Sequence, residues 1–232
     1  DWEFPENQEQ AKAFVDLAGG IKAGLRELEK KNAKTYVVTA AVNPGNWVGR
    51  WFDGAALAGA VDVLMVMTYD YTGPWDDWAG HHSPLFPTAA DPRSRTACVQ
   101  AGMAYWNKEK KIPKEKLLVG IPLYGRGFKV PKPFDSVPRG QESDISSLAY
   151  RDILPLMVQG WKTKRDPESR VPWLYAPDGN GVIGYDDPTS VAEKTRWAKA
   201  EGYPGVFFWS LDHDHMDDGT HPLVEAAAKV LR

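Results

Sequence analysis

The first group of residues that could do chemistry is a pair of acids at the start of the chain, Asp1-Trp2-Glu3. On a β-strand, residues two apart project from the same face. Two carboxylates placed in this way raise each other's affinity for a proton, which keeps one of them protonated near neutral pH. A protonated carboxyl is what a general acid requires. The spacing alone also fits a pair of solvated surface acids, so both interpretations stay open.

Two further groups follow apolar runs. Tyr69 and Asp70 end the run VLMVMTYD, and Tyr124 and Arg126 follow GIPL. A phenol, a carboxylate and a guanidinium could together hold hydroxyl or amide groups of a ligand. Asp70 could equally cap a turn, and Arg126 could belong to an ion pair within a loop.

Aromatic residues form the fourth group. The chain contains ten Trp and nine Tyr, and Trp209 lies in the segment GVFFWSLDHD. The flat apolar faces of sugar rings are natural partners for such side chains. Trp209 could therefore be either a stacking platform at the end of a strand or a core residue.

The candidate metal ligands are weak. The adjacent residues His81 and His82 cannot both face one ion on regular structure, and His213 and His215 have no evident third ligand nearby. The single cysteine, Cys98, excludes an internal disulfide and a zinc site built on several thiolates. We therefore expect no bound metal.

Composition narrows the classes of function. The 232 residues are 43% hydrophobic and 25% charged, with a net charge of −3, as in an ordinary globular chain. No run approaches the ~18 apolar residues of a membrane span. No basic block suggests nucleic acid or an anionic membrane surface. Composition therefore gives no sign of a membrane-spanning protein or of a nucleic-acid ligand.

The elements that must position these residues alternate along the chain. A helical pattern occupies 7–31, and further helical patterns follow at 49–59, 94–111, 189–202 and 221–231. Apolar runs that predict buried strands lie between them: Thr35–Val42, Val61–Tyr69, Leu117–Tyr124 and Gly205–Leu211. Strands that are apolar on both faces and separated by helices predict a parallel sheet covered by helices. Polar residues recur after every strand, which favours a closed barrel over an open sheet.

One stretch interrupts the alternation. Residues 129–183 contain a helical piece, Tyr150–Met157, and strand-like pieces at Trp173–Ala176 and Gly181–Tyr185. About 50 residues far exceed an ordinary βα loop of ~2–6 residues. The sequence therefore predicts an α+β subdomain at 129–183, inserted into a barrel domain made of 1–128 and 184–232.

Taken together, the segments DWEFP, MTYDYTGPW, GHHSPLF, GIPLYGRGF, GYDDP and GVFFWSLDHD resemble the chitinases of glycoside hydrolase family 18. The resemblance extends over essentially the whole chain and keeps the family's order of motifs. It implies a (β/α)8 TIM barrel, of which strands 4–8 are present here, with the family's small α+β insertion.

The resemblance also implies roles for individual residues. Glu3 would be the catalytic acid and base, Asp1 would stabilise the positive charge that develops, and Tyr69 would align the acetamido group of the substrate. Substrate-binding residues would be Met67, Asp70, Trp75, Tyr124, Arg126 and Trp209, with Trp75 on the product side and Trp209 stacked under the −1 sugar.

The implied activity is hydrolysis of β-1,4-linked N-acetylglucosamine polymers with retention, assisted by the substrate's own acetamido group. Neither metal nor organic cofactor is implied, and the expected partners are chitin or chito-oligosaccharides, with no nucleic acid or membrane. The resemblance implies a secreted, monomeric protein and leaves endo and exo action open. The alternatives are a chitin-binding lectin of the same fold and a relative that hydrolyses N-glycan cores or peptidoglycan.

The chain also departs from the family pattern. Two aspartates that precede Asp1 in the family signature are absent, as are the three βα units before strand four, and Phe4 replaces a common Tyr. A complete barrel takes about 250 residues. We therefore expect a partial chain, inactive by itself.

Overall fold

The computed structural model describes residues 2–232. Its α-helices are Gln8–Asn32 (α1), Asn46–Gly49 (α2), Gly54–Ala60 (α3), Val99–Ala104 (α4), Tyr150–Val158 (α5), Pro188–Ala200 (α6) and Pro222–Leu231 (α7). Its strands are Thr39–Val42 (β1), Val63–Val66 (β2), Leu117–Pro122 (β3), Tyr124–Phe128 (β4), Leu148–Ala149 (β5), Lys162–Arg165 (β6), Pro172–Tyr175 (β7), Val182–Gly184 (β8) and Val206–Trp209 (β9).

The first sheet is parallel and has the order β1-β2-β3-β9. Its register pairs Thr39 with Val63, Leu64 with Leu117, and Val119 with Val206. Helices connect successive strands, as the alternating pattern predicted. Because all four strands point the same way, the residues that follow them lie along one edge of the sheet.

The second sheet is antiparallel and has the order β5-β4-β8-β7-β6. It includes β4, which follows β3 after a single residue, so this sheet begins at Tyr124 and ends at Gly184. The strand β4 thus links the two sheets and carries a candidate site residue, Arg126, on the second one.

Local sequence explains where key helices begin. Asn7 caps α1 by accepting a hydrogen bond from the backbone of Gln10. At the start of α6, Asp187 and Ser190 form a reciprocal capping box, with Pro188 in the first turn. The neighbouring acid, Asp186, points into the interior instead and is buried.

The core has two main parts. One lies between the parallel sheet and its helices and includes Leu64, Val119 and the fully buried Trp106. The other, around Ile153 and Ile183, joins the antiparallel sheet to α5 and α7. Val206 of β9 packs against both parts of the core.

Several predicted elements differ in detail. Residues 2–5 form no strand, so the described chain has four parallel strands rather than five; an extended segment counts as a strand only where a neighbour pairs with it. The helix predicted at 94–111 is divided into a 3-10 turn, α4 and a π-helical turn at Tyr105–Glu109. The strand β6 was not predicted, because KTKR has no apolar residue to indicate it.

Candidate functional site

The segment after β2 carries three of the predicted site residues: Met67, Tyr69 and Asp70. The backbone N–H of Met67 still donates to Val42 of β1, over 2.9 Å. The hydroxyl of Thr68 donates to the carbonyl of Gly120 on β3, over 2.6 Å. The chain is thus held against both neighbouring strands up to the point where Tyr69 and Asp70 begin.

Asp70 and Arg126 form a two-pronged ion pair. The Arg126 Nε atom donates to Asp70 Oδ1 over 2.8 Å, and Nη2 donates to Oδ2 over 3.0 Å. Burial disfavours the carboxylate, yet His82, Arg126 and Tyr124 around it bring the pKa of Asp70 below its ordinary value. Asp70 is therefore an anion at neutral pH, and its oxygens are held in a fixed plane.

Tyr69 and Tyr124 lie together in a buried cluster with Met67. The Tyr69 ring centroid is 6.2 Å from those of both Tyr124 and Phe207. A Cβ atom at Gly120 would lie only 2.9 Å from the Tyr69 ring, so this glycine is what allows the tyrosine to pack there.

The Tyr69 hydroxyl remains protonated. Burial first, and then the charges of Asp70 and Glu3, raise its pKa well above the ordinary value. A tyrosine in this state is a neutral hydrogen-bond donor.

Glu3 itself is exposed to solvent. The next residue, Phe4, packs against the cluster of Met67, Tyr69 and Tyr124, which fixes the amino-terminal segment beside it. Asp1, the second predicted acid, lies outside the described residues. The predicted pairing of Asp1 with Glu3 therefore stays a prediction.

Two exposed tryptophans border this group. Trp75 is 48% exposed, and the Arg126 guanidinium carbon lies 5.1 Å from its ring centroid. The nearest atom of the Trp75 ring is 2.5 Å from where a Cβ on Gly73 would lie, so only glycine permits this packing. Trp209 is 52% exposed at the end of β9, where it pairs in register with Pro122 of β3. Both indoles present apolar surface to solvent.

Sequence reasoning missed two neighbours of the site. Trp47, after β1, is 65% exposed, and its ring lies edge-on to Phe4 with 5.7 Å between centroids. His82 accepts a hydrogen bond at Nδ1 from the backbone N–H of Asp70, over 3.2 Å. The motif GHHSPLF is visible in the sequence, but nothing in its pattern indicates that one of its histidines accepts from the Asp70 backbone.

Within residues 2–232, no three or more His, Cys, Asp or Glu side chains are grouped so as to hold a metal ion. The described helices include none with the length and apolar character of a membrane span.

The chain matches the model of "Glycosyl hydrolases family 18" over residues 1–214. It is 32% identical over 250 residues to a probable endochitinase of Caenorhabditis elegans, covering 100% of this chain and 40% of the relative. It is 30% identical over 238 residues to an endochitinase of Manduca sexta, covering 92% and 42%. The chain thus spans less than half the length of these two relatives.

Solved structures are also similar. The immunomodulatory active chitinase TsES1 of Trichuris suis superposes with a TM-score of 0.87 at 28% identity, covering 100% of this chain and 68% of that one. Human YKL-39, a pseudo-chitinase with retained chitooligosaccharide binding, gives 0.89 at 26% identity, covering 100% and 67%. These similarities confirm the predicted (β/α)8 barrel class, to which the four parallel strands belong. The chain therefore belongs to family 18 of the glycosyl hydrolases.

Proposed function

We propose that the protein containing this chain is a chitinase, which hydrolyses β-1,4-linked N-acetylglucosamine polymers. One observation carries the proposal: Tyr69, Asp70, Tyr124 and Arg126 are joined by direct contacts at one edge of the parallel sheet, with exposed indoles beside them. Hydrogen-bonding groups next to flat apolar faces suit a sugar ring. The endochitinase relatives of Caenorhabditis elegans and Manduca sexta support the same substrate.

In the proposed mechanism, the acetamido oxygen of the −1 sugar attacks its own anomeric carbon. Glu3 protonates the departing glycosidic oxygen, and the resulting carboxylate then removes a proton from the attacking water. Tyr69, kept protonated by burial, donates to the acetamido oxygen and aligns it. Asp1 stabilises the positive charge on the cyclic intermediate and orients the acetamido N–H.

The remaining candidate residues bind the sugar chain. The Asp70–Arg126 pair offers fixed oxygens and N–H groups to substrate hydroxyls, with Tyr124 and Met67 behind it. Trp209 stacks under the −1 sugar, and Trp75 stacks on the product side. The antiparallel sheet, most of which belongs to the proposed subdomain at 129–183, forms one wall of the sugar-binding cleft.

The substitution Glu3→Gln in the full-length protein tests the proposal. It should lower the hydrolysis of a fluorogenic chitobioside by at least ~100-fold, because the acid that protonates the leaving oxygen is gone. Binding of chito-oligosaccharides should persist. Glu6→Gln is the matched control, since Glu6 is an exposed acid three residues away, and it should leave turnover unchanged. Equal turnover in the wild type and Glu3→Gln would refute the assignment.

A lectin of the same fold is the alternative, and the similar structure of human YKL-39 is that of a pseudo-chitinase with retained chitooligosaccharide binding. Hydrolysis and binding separate the two, because a lectin binds chito-oligosaccharides without cleaving them. Turnover of chito-oligosaccharides compared with that of a glycoprotein separates chitinase from a relative acting on N-glycan cores. We further propose that the protein is secreted, because polymeric chitin lies outside the cell. We also propose that it acts as a monomer.

A further inference from the structure

The segment from His81 to Ser83 runs beside Asp70 and Tyr71 and is anchored at both ends. The His81 Nε2 atom lies 2.9 Å from Asp166 Oδ2. The Ser83 hydroxyl donates to the Thr68 carbonyl over 2.7 Å and accepts from Lys194 Nζ over 2.8 Å. The residue between them, His82, therefore has little freedom to move.

His82 contacts Asp70 and Tyr71 through both its side chain and its backbone. Its Nδ1 atom accepts from the backbone N–H of Asp70, over 3.2 Å, and its carbonyl accepts from the backbone N–H of Tyr71, over 3.1 Å. Its ring centroid lies 4.6 Å from that of Tyr124. The imidazole is buried, with a 1% exposed side chain.

Asp70 has a backbone that needs such support. Its φ is +57°, in the left-handed region that residues other than glycine adopt uncommonly, although Asp does so more often than most. A residue persists there only when its surroundings hold it. Rotation of the Tyr69–Asp70 peptide would carry the carboxylate away from the two donors of Arg126.

The protonation state of His82 suits the role of acceptor. Burial lowers its pKa to about 3, with Arg126 and Lys194 acting in the same direction and Asp70 opposing them. The ring is therefore neutral at neutral pH, with Nδ1 free to accept and the proton on Nε2. Among the described residues, Nε2 has no hydrogen-bond partner, so Nδ1 is the atom through which the ring acts.

We propose that His82 is a positioning residue, whose Nδ1 acceptor fixes the Asp70 backbone so that the Asp70 carboxylate meets Arg126 and the sugar together. The inference rests on the proposed role of Asp70 in sugar binding. The motif GHHSPLF would thus orient the Asp70 carboxylate without contacting the sugar itself.

Two amide substitutions in the full-length protein distinguish the hydrogen-bond acceptor of His82 from the volume of its side chain. In His82→Asn the side-chain oxygen can occupy the place of Nδ1, whereas in His82→Gln the amide reaches the place of Nε2. We expect His82→Gln to raise KM for a chito-oligosaccharide about tenfold, the effect of one lost hydrogen bond, with kcat within about threefold. His82→Asn should keep both constants within about threefold of the wild type. A merely structural defect would lower the active fraction, and hence apparent kcat, without raising KM.

A second measurement is independent of catalysis. Hydrogen exchange of the Asp70 amide should be about tenfold faster in His82→Gln than in the wild type or His82→Asn. An unchanged KM in His82→Gln, an equal rise in both variants, or unchanged amide exchange would overturn the inference. If the wild type itself cleaves no chito-oligosaccharide, the proposed function fails, and the exchange data still decide whether His82 holds Asp70.

Discussion

Lys194 on α6 is completely buried. Replacing it with methionine tests how much the buried ion pair beneath the site contributes to the stability of the fold. Its Nζ atom lies 2.6 Å from Asp186 Oδ2 and 2.8 Å from the Ser83 hydroxyl. Lys194 is 0% exposed and the Asp186 side chain 1%. Burial lowers the pKa of Lys194 and raises that of Asp186, while their mutual attraction opposes both shifts. Methionine has a similar length but no charge.

The expected cost follows from what Lys194→Met leaves behind. The Asp186 carboxylate would keep the Ser190 hydroxyl, which donates over 2.6 Å, but would lose its charge partner. Removing one member of a buried ion pair costs about 3–5 kcal/mol. For a domain of this size each kcal/mol lowers Tm by about 2–4 °C. We therefore expect Tm to fall by about 6–20 °C.

Urea and thermal unfolding of the full-length protein measure this effect. The double variant Lys194→Met with Asp186→Leu should be more stable than Lys194→Met alone, because no unpaired charge is then buried. Lys12→Met is the control: Lys12 pairs with Asp16 on the surface, with side chains 75% and 61% exposed, and its loss should cost less than about 1 kcal/mol. A loss below about 1 kcal/mol in Lys194→Met, or a double variant less stable than the single one, would refute the reasoning.

Three further predictions concern the site and the pH dependence of stability. Arg126→Lys should raise KM for chito-oligosaccharides about tenfold in steady-state kinetics, because an ammonium cannot make both parallel bonds to Asp70; an unchanged KM would contradict this. Trp75→Ala should weaken oligosaccharide binding about three- to tenfold in calorimetric titration, and unaltered affinity would remove Trp75 from the site. Partial burial opposes ionisation of Asp62, but bonds from Val38, Lys22 and Arg26 lower its pKa to about 2. Because the folded pKa lies below the unfolded value of about 4, the Asp62 carboxylate stabilises the fold above pH 4. This contribution of about 2 kcal/mol is lost as the pH falls from 4 to 2. The stability difference between the wild type and Asp62→Asn should therefore shrink over that range, and a constant difference would contradict the prediction.

Much of the element order was accessible from the sequence. The apolar runs that predicted strands contain β1, β2, β3 and β9, because strands buried on both faces leave a continuous apolar signal. The long helix predicted at 7–31 is α1 at Gln8–Asn32, within one residue at each end. These elements carry their own periodicity and caps.

Other elements had no local signal. The helix predicted at 94–111 is divided into three helical segments. Its residue Trp106 is tied to a remote part of the chain, because the indole N–H donates to the Asn43 carbonyl over 2.8 Å. The polar strand β6 exists because β7 pairs with it, from Lys162 opposite Tyr175 to Arg165 opposite Pro172. Pairing with the next strand along the chain decided β6, and packing against a segment 63 residues away accompanies the break of the helix.

The sequence is sufficient to identify the residue types at the ends of the strands, the motifs that indicate the family, and the alternation that indicates a parallel sheet. The folded structure sets which polar groups meet: the partners Asp70 and Arg126 are 56 residues apart, and Lys194 and Ser83 are 111 apart. It also gives His82 a role that the sequence does not indicate, as the acceptor for the Asp70 backbone N–H. The physical reason is that hydrogen bonds and ion pairs depend on distances of a few ångströms, which chain folding sets and sequence separation does not.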